Sequence, residues 1–261
     1  MFSQEPHCHY SRNQLGEVIC QLRFPEILAV GASSPVEFQE EIRAQYPQYQ
    51  ARREQSAPRL TGTPGHFSME KPEPTMNYSF GTADGLWRIN LTGTFISLSC
   101  QRYPSWEEFA ARLDRPLAEF IRIYKPAYFE RIGLRYMNFI SRKDLDLEGE
   151  SFRTLLKEPY LGILADEEVR ETGFSQATVD AEFAIRSGCR AKIHSGTGLV
   201  RRGASMDPEL KLIFDQDVYL PGQIPVHLAA ASMQMLHDQA FCIFRDAITD
   251  RLHEAMEPSQ S

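Results

Sequence analysis

One run near the middle of the chain constrains the fold more than any other. Phe129–Ile140, Phe-Glu-Arg-Ile-Gly-Leu-Arg-Tyr-Met-Asn-Phe-Ile, alternates and is rich in aromatic and branched residues. It therefore reads as a β-strand with one apolar face. Its core, Leu134-Arg135-Tyr136, echoes Leu22-Arg23-Phe24, which lies 112 positions earlier. The earlier run, Leu15–Phe24, alternates as well. Val18, Cys20, Leu22 and Phe24 make one face, and Glu17, Ile19, Gln21 and Arg23 the other.

The elements around the two runs follow the same order. After the first, Ser34-Pro35 opens a short helix whose buried stripe is Phe38 and Ile42. A short strand is expected at Tyr49–Gln55, then a long loop over 56–76 that is rich in proline and glycine. Strands are expected at Met76–Phe80, Leu86–Leu91 and Thr94–Gln101, with Asp84-Gly85 supplying a tight hairpin turn. Ser105 caps a helix with Trp106, Phe109, Leu113, Leu117 and Phe120 at helical spacing, kinked at Pro116. After the central run come a helix at Ser151–Lys157 and strands at Thr178–Ile185, Arg190–Val200 and Leu210–Tyr219. A final helix spans about Val226 to Met256, with Leu236, Ala240, Phe244, Ile248 and Leu252 on one face.

The expected fold is α+β. It has two similar halves of strand, helix, antiparallel strands and long helix, with the sheets covered on one face by the long helices. Residues 1–13 are an irregular N-terminus, 14–126 the first half and 127–261 the second, tightly associated with it. Joined edge to edge, the halves would hide two sheet edges.

Three segments carry a likeness to a known group. They are Leu15–Phe24 with Pro35-Val-Glu-Phe38-Gln, Tyr103-Pro-Ser-Trp106-Glu-Glu-Phe109, and Arg131-Ile-Gly-Leu-Arg-Tyr-Met-Asn138. The last is joined by Leu236-His237 through Phe244 to Ile248-Thr249. The chain resembles an uncharacterised, sporadically distributed bacterial protein family of similar length. The resemblance spans nearly the whole chain, implies a domain of the same extent, and brings no catalytic residues with it.

Composition narrows the function. A formal net charge of -7 argues against wholesale binding to nucleic-acid phosphates. Five widely spaced cysteines without a Cys-x-x-Cys pair argue against a disulfide framework or zinc ribbon and for a reducing, cytoplasmic setting. The first residues have neither the basic nor the apolar region expected of a signal peptide, and no apolar run is long enough to span a bilayer. No nucleophile elbow, P-loop or His-Glu-x-x-His pattern occurs, and Ser195-Gly-Thr-Gly198 reads as a hairpin turn.

Three clusters remain. Arg131 and Arg135 share a face of the central strand, and Arg23 holds the equivalent place in the first half. With Asn138 they are the candidate binding residues, suited to phosphate or carboxylate if they converge, or else paired with acids such as Glu17 and Asp215. Asp180 and Glu182 share one strand face, and Asp215 and Asp217 another. As neighbours, those strands could gather four carboxylates around Mg²⁺ or Ca²⁺, against the simpler reading of a solvated polar face. His7-Cys8-His9 has metal-binding residue types in a terminal segment, and His237-Asp238 reads as polar residues at a helix boundary, so no metal site and no cofactor is assigned.

The expectation is a binding or regulatory protein that uses a groove or surface between the halves, with a protein partner or a small anionic ligand. The alternative is an enzyme or anion binder at an arginine-lined joint, with a carboxylate-held metal. A third reading, local nucleic-acid contact through Arg201, Arg202 and loop 56–76, ranks last.

Overall fold

Alternating strands become one wide antiparallel sheet in the computed structural model. The chain runs β1 (Cys8–Tyr10), β2 (Leu15–Arg23), α1 (Leu28–Ala32), α2 (Val36–Ile42), β3 (Gln48–Glu54), β4 (Arg59–Thr63), β5 (His66–Glu70), β6 (Thr75–Gly81), β7 (Trp87–Leu91), β8 (Phe95–Cys100) and α3 (Trp106–Tyr124). It continues with β9 (Phe129–Ile140), β10 (Thr178–Ala184), β11 (Arg190–Arg202), β12 (Ser205–Ile224), α4 (Ala229–Ala247), α5 (Asp250–Ala255) and β13 (Pro258–Gln260). The structure describes residues 2, 6–55, 59–63, 66–70, 74–171, 174, 176–202 and 205–260. For 59–63, 66–70, 201, 202, 205, 206 and 260 it describes the backbone course alone.

Nine strands pair in the order β10-β11-β12-β9-β2-β8-β7-β6-β3. Every neighbouring pair is antiparallel. The two runs that echo each other in sequence, β2 and β9, lie side by side in the middle, with Gln21 opposite Gly133 and Arg23 opposite Arg131.

One face of the sheet packs under helices. Val18, Cys20 and Leu22 of β2, Ile96 and Leu98 of β8, Ile132 and Leu134 of β9, and Phe214 and Val218 of β12 are all fully buried. Helix α3 lies on β8, and α4 lies on β9 and β12. Ser105 accepts a hydrogen bond from Glu108 N–H at the start of α3, and Phe109, Leu113, Leu117 and Phe120 face inward. Each such side chain contributes about 1.5–3 kcal/mol by leaving water. Pro116 sits inside α3 and is itself buried. No helix among the described residues is long and apolar enough to cross a membrane.

Several local expectations change. Cys8–Tyr10 is not irregular but pairs as β1 with β13, near the opposite end of the chain. No local pattern announces such a pairing. Part of loop 56–76 is the β4–β5 hairpin; its residues 56–58, 64–65 and 71–73 lie outside the described ones. In place of a helix at Ser151–Lys157 there are short 3-10 turns at Phe152–Thr154, Glu158–Tyr160 and Gly162–Ala165. Pro159 in their midst has no N–H to continue a helical ladder. The final helix is broken at Ile248, whose backbone is extended and bridges Leu156. Thr249 then caps α5 by accepting from Leu252 N–H. Ser195–Gly198 is no turn: it lies inside β11, where Gly196 lets the Ala177 carbonyl approach a point that a Cβ would occupy at 2.3 Å.

Candidate functional site

The open face of the sheet carries the predicted arginines and acids. Arg131 Nη2 donates to both carboxylate oxygens of Asp217, at 2.8 and 2.7 Å, and its guanidinium lies 4.3 Å from the centre of the Tyr219 ring. The side chain crosses Gly133, where an added Cβ would stand 2.2 Å from Arg131 Nη1. Arg135 holds Asp215 with two hydrogen bonds, through Nε at 2.7 Å and through Nη2. The hydrogen bonds it donates to Asp215 hold Arg135 more firmly in its charged form, outweighing the opposing effect of burial. Arg23 is exposed and faces Arg131 across the strand pair, while Arg135 faces Ile19. Arg131 and Arg135 are four residues apart on one strand, about 13 Å. The structure thus brings each of these two to an aspartate of β12 and brings Arg23 beside Arg131. It does not gather Arg23 with Arg135.

The four acids do not form one group, because β11 runs between β10 and β12. Its basic side chains separate them. Glu182, Lys192, Asp217 and Arg135 stand in one row across four strands, and Asp180, His194 and Asp215 in the next. His194 Nδ1 lies 2.8 Å from Asp180 Oδ1. Opposite charges directly across a ladder stabilise it, so this face is satisfied internally. The side chains of Arg201 and Arg202 lie outside the described residues.

The helix-covered face holds a different arrangement. A cavity of about 110 Å³ opens between β9, β12, α4, the segment before α3 and the β1 segment. Tyr136, Asn138, Gln216, Tyr103, His237 and Phe241 are among its walls. Alternation along β9 turns Tyr136 and Asn138 inward, on the same side as Leu134. Asn138, one of the predicted binding residues, is 4% exposed and donates to the Phe214 carbonyl at 3.3 Å. It therefore lies on the opposite face of the sheet from the three arginines.

His237 is mid-helix, not at a helix boundary. Its Nδ1 is 2.8 Å from the Tyr136 hydroxyl, and its ring stacks on Trp106 at 4.6 Å and 5°. Burial pushes the imidazole down to about 4, and His7 adds to this, so the ring is neutral near pH 7. Burial likewise holds the Tyr136 phenol well above its ordinary range. Tyr103 meets Tyr136 edge-on at 5.7 Å. Trp106 Nε1 donates to Gln234 Oε1 at 2.6 Å, and Gln234 Nε2 donates to Asp238 at 2.9 Å.

Gln216 and Tyr103 are the exceptions to this satisfaction in the cavity wall. Gln216 is 2% exposed, and neither its side-chain carbonyl oxygen nor the Tyr103 hydroxyl has a hydrogen-bond partner among the described residues. A buried acceptor left unpaired costs about 1–3 kcal/mol, so folded chains rarely leave one without a partner. Reading by residue type missed Gln216, because one glutamine in an alternating strand carries no motif. The walls around it come from segments near positions 10, 103, 136, 216 and 240, and only the fold assembles them. No protein-family model matches this chain, and no curated protein matches it.

Proposed function

We propose that this chain acts by binding. In this reading two duplicated α+β halves form a scaffold, and the cavity on the helix side of their joint takes a small, planar, neutral ligand that presents an N–H donor. The unpaired Gln216 oxygen carries the proposal: a ligand N–H would satisfy it and recover the desolvation it now costs. The Asn138 amide beside it and the rings of Tyr103, Tyr136 and Phe241 suit an amide or heterocyclic ring lying flat between them. Neither Lys nor Arg is among the lining residues, which favours a neutral ligand over the small anion that the arginines suggested. A dry cavity of about 150 Å³ holds a single benzene-sized ring, so about 110 Å³ open at one side suits the ring end of a small molecule.

Support for duplication comes from strand order. Outward from the centre, each half places its opening strand, then its last strand, then the strand before that: β2-β8-β7 on one side and β9-β12-β11 on the other. The 112-position echo relates Gln21 to Gly133, and these two residues are themselves cross-strand partners, as a two-fold axis between them requires. The five free cysteines suit a cytoplasmic setting.

The test is thermal denaturation of the full chain with single-ring lactams and pyrimidine bases as probes, in the native protein and in Gln216→Met. A ligand at a hundred times its Kd adds about 2.7 kcal/mol to stability. The expected result is a saturable rise in Tm with at least one probe, abolished in Gln216→Met. If no probe raises Tm, or if the variant keeps the full rise, the reading is wrong.

A further inference from the structure

The donor atoms of His7, His237 and Asp238 lie within 4.8 Å of one another. His7 Nε2 is already 3.6 Å from Asp238 Oδ1. Tetrahedral zinc with bonds near 2.0 Å places its ligand atoms about 3.3 Å apart, so a small inward movement closes the group. Two imidazoles and a carboxylate are a borderline donor set, suited to Zn²⁺ and poorly suited to Mg²⁺ or Ca²⁺.

We propose that His7, His237 and Asp238 form a site for a divalent transition metal, Zn²⁺ by preference, beside the cavity. The contacts behind these three residues are those that metal ligands need. A ligating histidine is normally oriented by a hydrogen bond to its second nitrogen, and Tyr136 occupies Nδ1 of His237 at 2.8 Å. Coordination through Nε2 puts the ring proton on Nδ1, where it donates to the Tyr136 oxygen. Trp106 fixes the same ring by stacking, and through Gln234 it also positions Asp238. His7 lies flat on Phe241, with ring centres 4.2 Å apart. An ordinary surface ion pair between His7 and Asp238 has no use for this support.

His237 belongs to both the triad and the cavity wall. Three protein ligands leave a fourth position to water or to a group entering the cavity. The ion would also tie the N-terminal segment to α4 and hold it over the opening. The metal proposal goes beyond the ligand reading and stands without it.

The test uses the full-length, tag-free chain, stripped with a chelator and titrated with ZnCl₂ alone, with CoCl₂ as a spectroscopic probe and MgCl₂ as a control. The expected result is one equivalent of Zn²⁺ bound, intense visible absorption from tetrahedral Co²⁺, and no Mg²⁺ binding at matched concentration. His7→Ala and Asp238→Asn alter side chains that are 36% and 47% exposed, and each should weaken Zn²⁺ at least tenfold. Tyr136→Phe, which keeps the ring and removes only the orienting hydroxyl, should weaken it roughly 10–100-fold. Gln216→Met should leave Zn²⁺ affinity unchanged, so this proposal and the ligand reading fail separately. The absence of saturable Zn²⁺ binding would overturn the proposal, and so would affinity unaltered in both His7→Ala and Asp238→Asn.

Discussion

The two faces of the central sheet use polar residues in opposite ways. On the open face the buried and half-buried charges of β9 and β12 meet complements. Arg131 has Asp217, Arg135 has Asp215, and Lys211, only 1% exposed, has Glu209 at 2.8 Å and Asp207 at 3.2 Å. On the helix side, a few residues away on the same strands, Gln216 is buried with an oxygen that nothing among the described residues answers. An anion arriving at Arg131 or Arg135 must first displace a carboxylate, whereas an unanswered acceptor beside a cavity has no partner to displace. Residue type alone points to the open face, since arginines attract attention and a lone glutamine does not.

The contrast can be broken from either side. The largest effect is expected at the most buried charge of the open face. Glu209→Ala removes a principal partner of Lys211 and should cost about 3 kcal/mol in urea denaturation. The same carboxylate gives this loss a pH dependence. Burial acts to raise its pKa, but hydrogen bonds from Lys211, Ser141 and Lys143 N–H prevail and hold it below the ordinary value of 4.5. A lowered native value means the stabilisation is present above about 4.5 and is lost as pH falls below it, so the gap between the native protein and Glu209→Gln should close in acid.

Gln216→Met should act in the opposite direction. It removes an unsatisfied buried acceptor while keeping volume, and should gain about 1–2 kcal/mol. A loss of that size would show that Gln216 is paired after all, and the comparison would fail. Gly133→Ala should cost about 1 kcal/mol by lifting Arg131 from Tyr219 and Asp217, and the cost should vanish in an Arg131→Ala background. Equal costs in both backgrounds would assign the effect to the strand rather than to the arginine. The smallest change is expected for Arg23→Ala, within about 0.5 kcal/mol of the native protein, because the side chain is exposed and faces a like charge.

Much of the fold was legible because it is written in local periods. Alternation in β2, β9 and β10 places residues on faces, and three-four spacing from Trp106 to Phe120 gives the buried stripe of α3. Ser105 and Asp84-Gly85 mark a cap and a turn by their own chemistry. The pairing of arginines with acids of neighbouring strands was open to the same reasoning, with Asp215 already a candidate partner. His237 and Trp106 both stood in segments noticed for their residues, yet nothing in those segments says that the two rings stack.

By itself, then, the sequence determined the central strands, the long helix α3 and which of their side chains share a face, because a backbone repeat of two or 3.6 residues is a property of neighbours along the chain. Only the tertiary structure decided that β11 separates two acidic strands, that β1 closes against β13, and that Gln216 and His237 meet at one cavity. Strands with similar alternation can pair in many orders. What selects among those orders is the summed burial and hydrogen bonding of the whole sheet, which no single stretch contains.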